Sequence, residues 1–344
     1  MPFLKAVSLW ILLSLNSSYM KWIIFLLVFV LFSSCSAPKN KKNDRVVPDN
    51  NVVMPSFSAD SAYSFVKTQC DFGSRVPGSE AHHQCKEFFI RKFKQFNADT
   101  IIVQEGEQKL YNSKKMSLYN IIASYNIKQS NRVLICAHWD SRPFSDQDAD
   151  KSNYYKAIVG ANDGASGVGV ILELARLLSE YSPTIGVDFI LFDLEDWGAP
   201  EEEQSENGEG GWTLGSAYWS ENLLLPAAKP KYGILLDMVG APNATFYREY
   251  FSERYAGWVV SKIWNTAAKC GYSNVFVDKP GGAVTDDHIN VSNAGIPCAD
   301  IIHFEPSSEH GFGYYWHTQA DNMQNISSNT LKIVGDVLVH IIYE

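Results

Sequence analysis

From residue 59 onward the chain alternates between two hydrophobic periods. Apolar residues spaced three and four apart predict helices over 59–70 and 79–95, with Phe65, Phe88, Phe89 and Phe93 on their apolar faces. Extended segments are predicted at about 100–105, 117–124 and 132–138. The third holds an unbroken apolar run, Val133 to Ala137, of the kind buried on both faces of a sheet. Gly164 to Glu180 returns to helical spacing through Val168, Ile171, Leu172, Leu174, Ala175 and Leu178. Val187 to Asp193 and Tyr232 to Met238 read as further buried strands. A helix at 254–270, a strand near 299–304 and a terminal helix at 327–343 complete the pattern. Strands alternating with helices, with no internal repeat, predict an α/β fold. The expected form is a single-domain three-layer sandwich, its central sheet mixed but largely parallel and flanked by helices.

The first 55 residues break this rhythm. Met20-Lys21 opens a short basic segment, Trp22 to Phe32 is almost wholly apolar, and Ser33-Ser34-Cys35 follows. An apolar run that short fits a signal-peptide core better than a membrane span. Small residues before Cys35 are the pattern of a bacterial lipoprotein, so 1–35 reads as a signal segment starting at Met1 or Met20. Residues 36–55 are polar and charged, as a flexible tether is. The catalytic domain is then 56–344. The expected address is the periplasm or outer membrane of a Gram-negative bacterium, with membrane contact only through the N-terminal lipid. An ordinary signal peptide or a single N-terminal anchor is the alternative.

Net charge is −9 and no basic block stands outside the N-terminal region, which argues against nucleic acid and against a basic membrane-binding face. The domain is expected to be monomeric. Cysteines stand at 35, 70, 85, 136, 270 and 298 without a CxxC pair, so a cysteine-rich zinc site is not supported. Cys70 and Cys85 flank one loop and are a candidate disulfide that the sequence alone does not establish, while Cys136 falls inside a core strand. The acidic stretch 199–211 reads as a solvated loop beside the site.

Candidate chemistry collects at element ends. Asp163 immediately precedes the 164–180 helix, where an Asp alone is an ordinary N-cap. Glu195 and Asp196 follow the 187–193 strand, and His317 follows Trp316 in an aromatic loop. Taken together, Asp163, Asp196 and His317 offer two oxygens and one nitrogen with a fourth position open, the donor set of a catalytic zinc site. Oxygen-rich ligation also admits manganese or iron. Glu195 beside them suits a general base. His138, ending a buried strand, is more readily a hydrogen-bonding partner than a ligand.

Several motifs carry a resemblance. Gly73-Ser-Arg-Val-Pro-Gly-Ser79, Leu235-Leu-Asp-Met-Val-Gly-Ala-Pro-Asn-Ala-Thr-Phe246, Asp286-Asp-His-Ile289 and Trp316-His-Thr318 occur in order over roughly 270 residues. With these motifs the chain resembles the zinc-dependent glutaminyl cyclases, within the M28 zinc aminopeptidase-like family. The resemblance implies one zinc per chain on Asp163, Asp196 and His317. It implies Glu195 as general acid–base, and Asp237 with Asp286 as a hydrogen-bonded acidic pair behind the substrate amide. Trp316 would wall the pocket, joined by Trp197 or Trp212. The implied reaction closes an N-terminal glutamine of a peptide or protein to pyroglutamate and releases ammonia.

Two positions depart from the animal cyclases: Asp196 stands where they have Glu, and Asp300 where they have His. The competing reading is a di-zinc aminopeptidase, with a second metal on His138 and Asp237. A third is a non-catalytic peptide-binding lipoprotein.

Overall fold

In a computed structural model, which describes residues 54–200, 203 and 210–344, six strands form one sheet. The strands are β1 (Thr100–Lys109), β2 (Lys115–Tyr125), β3 (Arg132–His138), β4 (Gly186–Phe192), β5 (Tyr232–Asp237) and β8 (Cys298–Ile302). Their spatial order is β1-β2-β4-β3-β5-β8. Pairing is antiparallel from β1 through β2 to β4 and parallel from β4 through β3 and β5 to β8. The expected largely parallel mixed sheet is therefore present. The signal and tether assignments up to residue 53 lie outside the described residues. No helix among the described residues is long and apolar enough to cross a membrane.

Successive strand residues enter opposite layers. Val133, Ile135 and Ala137 of β3 and Val187, Phe189 and Leu191 of β4 join the larger apolar cluster. That cluster also takes in helices α1 (Ala59–Asp71), α2 (Glu80–Gln95), α3 (Ala165–Glu180), α5 (Tyr250–Lys269) and α7 (Ser328–Tyr343). Leu134, Cys136, Ile190 and Phe192 face the other way, onto Trp219 of α4 (Leu214–Glu221) and Val291 of α6 (Asp287–Asn293). Three layers result, because each buried strand has apolar residues on both faces.

The chain runs from β3 through α3 to β4 on one face. It returns from β4 through α4 to β5 on the other, stepping across β3. In open α/β sheets such a reversal leaves a crevice at the carboxyl ends of the strands. His138, Asp193 and Asp237 stand at or just past those ends.

At the opposite end of the sheet, Arg132 and Asp188 form a fully buried ion pair. The Arg132 Nε and Nη2 donate to Asp188 at 2.8 and 2.6 Å, and Ser124 Oγ donates to the same carboxylate at 2.5 Å. A Cβ at Gly186 would lie 2.0 Å from the guanidinium, so the pair needs glycine beside it. Asp188→Ala strands the arginine without its anion and is expected to destabilise the fold by about 3–5 kcal/mol. Denaturant unfolding checks this, and a loss below about 1 kcal/mol would contradict it.

Three differences from the sequence reading have simple causes. Helix α5 begins at Tyr250 rather than 254, because the Glu249 side chain accepts from the Phe251 and Ser252 amides and caps it. Helices α4 and α6 and the small sheet of β6 (Phe246–Arg248) with β7 (Phe276–Pro280) were not foreseen, being too short to show a period. Cys70 and Cys85 are both free thiols, so the candidate disulfide is not formed, and Cys136 is buried as expected.

Candidate active site

A cavity of about 440 Å³ opens at the carboxyl ends of β3, β4 and β5. Asp163, Glu195, Asp237, Asp286 and His317 line it, with aromatic walls from Trp212, Phe304, Phe312 and Trp316. Trp197 is not among the lining residues; it packs against Leu110, Leu118 and Leu194, leaving Trp212 as the second pocket tryptophan.

The loop carrying Asp163 is held from several sides. Asp321 accepts from the Asn162 amide at 2.7 Å and from the Asp163 amide at 3.1 Å. Asn162 Oδ1 in turn accepts from the Gly240 amide at 2.8 Å, tying this loop to the segment after β5. The buried Arg75 guanidinium donates to the carbonyls of Trp139, Val159 and Gly160. Next to Asp163, a Cβ on Gly164 would lie 2.5 Å from the His138 carbonyl and 2.6 Å from its ring, so only glycine lets the loop reach β3.

The Glu195-Asp196 pair is positioned by Asp140. Its two carboxylate oxygens accept from the Glu195 and Asp196 amides at 3.1 and 3.2 Å. Arg142, locked by Asp146, donates to the Asp196 and Gly198 carbonyls and lies 4.5 Å above the Trp212 ring. Trp212 stacks at 8° on His317, and Trp316 stacks on the same imidazole at 3.9 Å. Leu194, Met238 and His317 all adopt left-handed backbone (φ 53, 48 and 52°). Such conformations persist where the surroundings over-determine them, and they gather at functional sites.

The geometry brings Asp163, Asp196 and His317 together: one donor atom from each lies within 4.8 Å of the others. His317 Nε2 is 3.4 Å from Asp196 Oδ1 and 3.6 Å from Asp163 Oδ2. Burial and the Arg142 charge push its pKa down to about 3, leaving a neutral imidazole with a free lone pair. Both Asp196 carboxylate oxygens are buried without a hydrogen bond; Arg142 Nη1 stands 3.5 Å from Oδ1 but donates to the Asp196 and Gly198 carbonyls, so the carboxylate has lone pairs free for a further positive partner. A divalent cation supplies one. The donor set therefore fits zinc.

A second group, His138, Asp163 and Asp237, shares Asp163 with the first. His138 Nε2 lies 2.9 Å from Asp163 and 3.2 Å from Asp237. Burial opposes charge on this ring, but hydrogen bonds to Asp140, Asp163 and Asp237 outweigh it and raise its pKa. Burial, with the charges of Asp286, Asp196 and Asp287, pushes the half-buried Glu195 carboxyl well above the usual range, against the pull of His138. Asp237 is raised to about 6, by burial and the Asp163 charge. Asp286 is raised to about 7, by burial and the Asp237 charge.

Sequence reasoning missed Arg75, Asp140, Arg142, Asp146 and Asp321, which hold the site residues or the loops that carry them and do not line the cavity. Asp146 and Asp321 have the patterning of ordinary loop acids; only Asp140, two residues after His138 in the same strand-end segment, carried a local signal.

The sequence model of peptidase family M28 matches residues 120–342. Aminopeptidase YwaD of Bacillus subtilis is 29% identical over 236 residues, 68% of this chain, and the chain spans about half of that longer protein, 45%. The structure superposes on glutaminyl cyclase from Tannerella forsythia with a TM-score of 0.82 and 44% identity, covering 84% of this chain and 99% of that one. It superposes equally on a Zn-dependent exopeptidase from Parabacteroides distasonis, with a TM-score of 0.82 and 44% identity over 85% and 99% of the two chains. With its catalytic layer matched from β2 to the terminal helix, this chain belongs to peptidase family M28.

Proposed function

We propose that the protein is a glutaminyl cyclase that closes the N-terminal glutamine of peptides or proteins to pyroglutamate and releases ammonia. The observation that carries this reading is one cavity in which Glu195, Asp237 and Asp286 share an aromatic-walled space with Asp163 and His317, with Asp196 within ligand distance of those two behind its wall. The 44% identity to the Tannerella forsythia cyclase over 99% of that chain supports it.

Asp163, Asp196 and His317 would hold one zinc. When bound, zinc supplies Lewis acidity toward the γ-carboxamide oxygen. The substrate's own α-amine attacks the γ-carbon, and enclosing both groups in one small cavity favours ring closure over any bimolecular competitor. Glu195 takes the proton released as the C–N bond forms and delivers it to the departing nitrogen, which leaves as ammonia. Its raised proton affinity suits it to hold that proton between the two steps. Asp237, fixed by His138 at 3.2 Å, accepts from the amide nitrogen and keeps it in line, with Asp286 beside it. Trp212, Phe304, Phe312 and Trp316 exclude the water that would hydrolyse the amide instead.

A second reading rests on His138, Asp163 and Asp237. With a second metal there, the site becomes that of a di-zinc aminopeptidase, the activity named for the YwaD relative. Purified protein offered Gln-Phe-Ala and Leu-Phe-Ala, with mass spectrometry and metal analysis, separates the two. Loss of one ammonia from the glutaminyl peptide alone, with about one zinc per chain, is expected. Free leucine with about two zincs would replace the cyclase by the peptidase.

For the rest of the chain, the proposal is residues 1–35 as a lipoprotein signal, 36–55 as tether and 56–344 as a monomeric enzyme domain, exported and lipid-anchored through Cys35. The support is the apolar run Trp22 to Phe32 ahead of Ser33-Ser34-Cys35.

A further inference from the structure

Beneath Asp286 lies a buried group of ionisable side chains that the reaction above does not use. A carboxylate oxygen of Asp286, a ring nitrogen of His288 and a carboxylate oxygen of Asp300 lie within 4.8 Å of one another. Glu249 completes the group from the start of α5. It is well supplied with donors, the amides of Phe251, Ser252 and Val284 at 2.9, 2.6 and 3.0 Å, and His288 Nε2 stands 3.2 Å from it. Asp300 has none. Both its oxygens, and Asp286 Oδ2, are buried without a donor, and His288 Nδ1 stands 3.9 Å away, beyond hydrogen-bond reach.

A buried carboxylate with no donor is costly, and two that face each other do not both ionise. One proton between Asp286 and Asp300 removes both problems. The surroundings decide which residue keeps it. Around Asp300 stand Glu249 and His288, Cys298 on its own strand, and Asp237 and Asp286; around Asp286 stand Asp237, Asp287, His288 and His138. Burial raises both carboxyls, but Asp286 Oδ1 accepts from the Asp287 amide at 2.5 Å and Asp286 lines the cavity, whereas neither Asp300 oxygen has a donor, so the charge rests on Asp286 and the proton on Asp300.

We propose that Asp300 is a positioning residue that stays protonated and donates its O–H to Asp286, holding Asp286 as an ionised acceptor at the wall of the cavity. What that acceptor does for the glutaminyl amide rests on the cyclase reading; the proton on Asp300 does not. Glu249 is held by three backbone amides, and the nearest ring nitrogen to Asp300, His288 Nδ1, stands 3.9 Å away, so Asp286 is the partner within the group that Asp300 can reach with a proton.

The test compares wild type with Asp300→Asn and Asp300→Leu. Infrared difference spectra of aspartate-labelled protein at neutral pH need no substrate. Wild type minus Asp300→Asn is expected to lose one protonated-carboxyl band with metal content unchanged. In the pH profile of kcat/KM, Asp300→Asn keeps a donor and is expected to leave the acid limb in place. Asp300→Leu removes the donor and is expected to move that limb about one pH unit upward. A purely structural role would lower kcat at every pH and leave the limb where it is. An unchanged set of carboxyl bands in Asp300→Asn, an unmoved limb in folded Asp300→Leu, or loss of bound metal from Asp300→Asn would each overturn the proposal. If wild type releases no ammonia from Gln-Phe-Ala, the cyclase reading falls, and the infrared spectrum still decides the fate of Asp300.

Discussion

Replacing Glu195 by Gln is expected to lower kcat by about 10²–10⁴-fold while metal content and thermal stability stay at wild-type values. The backbone at this position is held by Asp140, whose carboxylate accepts from the Glu195 and Asp196 amides, so the amide side chain occupies the same place. What changes is proton capacity. Burial and the neighbouring carboxylates hold the Glu195 proton tightly, which suits a group that must take one proton and surrender it within a turnover. A carboxamide cannot do either. Because Asp163, Asp196 and His317 are untouched, zinc remains and KM changes little. Steady-state cyclisation of Gln-Phe-Ala with metal analysis on the same preparation reads both quantities. A mutant within a few-fold of wild type would remove Glu195 from the chemistry and shift attention to Asp286, which lines the same cavity.

His317→Ala is expected to abolish both bound metal and turnover. Among the three donors His317 alone supplies nitrogen, and burial with the Arg142 charge keeps its lone pair free by pushing its pKa down to about 3. Without it, Asp163 and Asp196 face each other as two buried carboxyls, and the Asp163 charge already raises Asp196 well above its ordinary value after burial has done so. Protonating that pair competes with metal. Affinity is expected to fall by more than about 10²-fold, the upper range for partners that only support a ligand. Stability gives a readout separate from activity. Wild type loses about 4 kcal/mol on chelation if free metal stood at 1,000 times its dissociation constant, while His317→Ala should unfold identically with and without chelator. An active His317→Ala that carries no metal would end the zinc assignment.

Different parts of this molecule were legible in the sequence to different degrees. Strands β3, β4 and β5 and helix α3 were plain, because a doubly covered strand must be apolar at consecutive positions and a buried helix apolar at every third or fourth. Glu195, Asp196 and Asp237 stood out as candidates because each is an acid placed where a strand run stops, and Asp163 because it stands just ahead of a buried helix. His317 emerged only in company with them. The choice between Trp197 and Trp212 was not legible: both lie close after the acid pair, and only packing sends one to Leu110 and Leu118 and the other against His317.

The sequence by itself determined the layers and the alternation of strands with helices, because those follow from local hydrophobic period, and it named a set of candidate metal-binding side chains by residue type. Only the tertiary structure decided how that set is held. The Asn162 amide finds its acceptor on Asp321, 159 residues further along the chain, and Asp140 reaches across 55 and 56 residues to the amides of Glu195 and Asp196. Asp300 finds Asp286 by the same means, through the meeting of β8 with the start of α6. Such contacts carry no periodic trace, since a hydrogen bond constrains the distance between two atoms in space and leaves the sequence between them free.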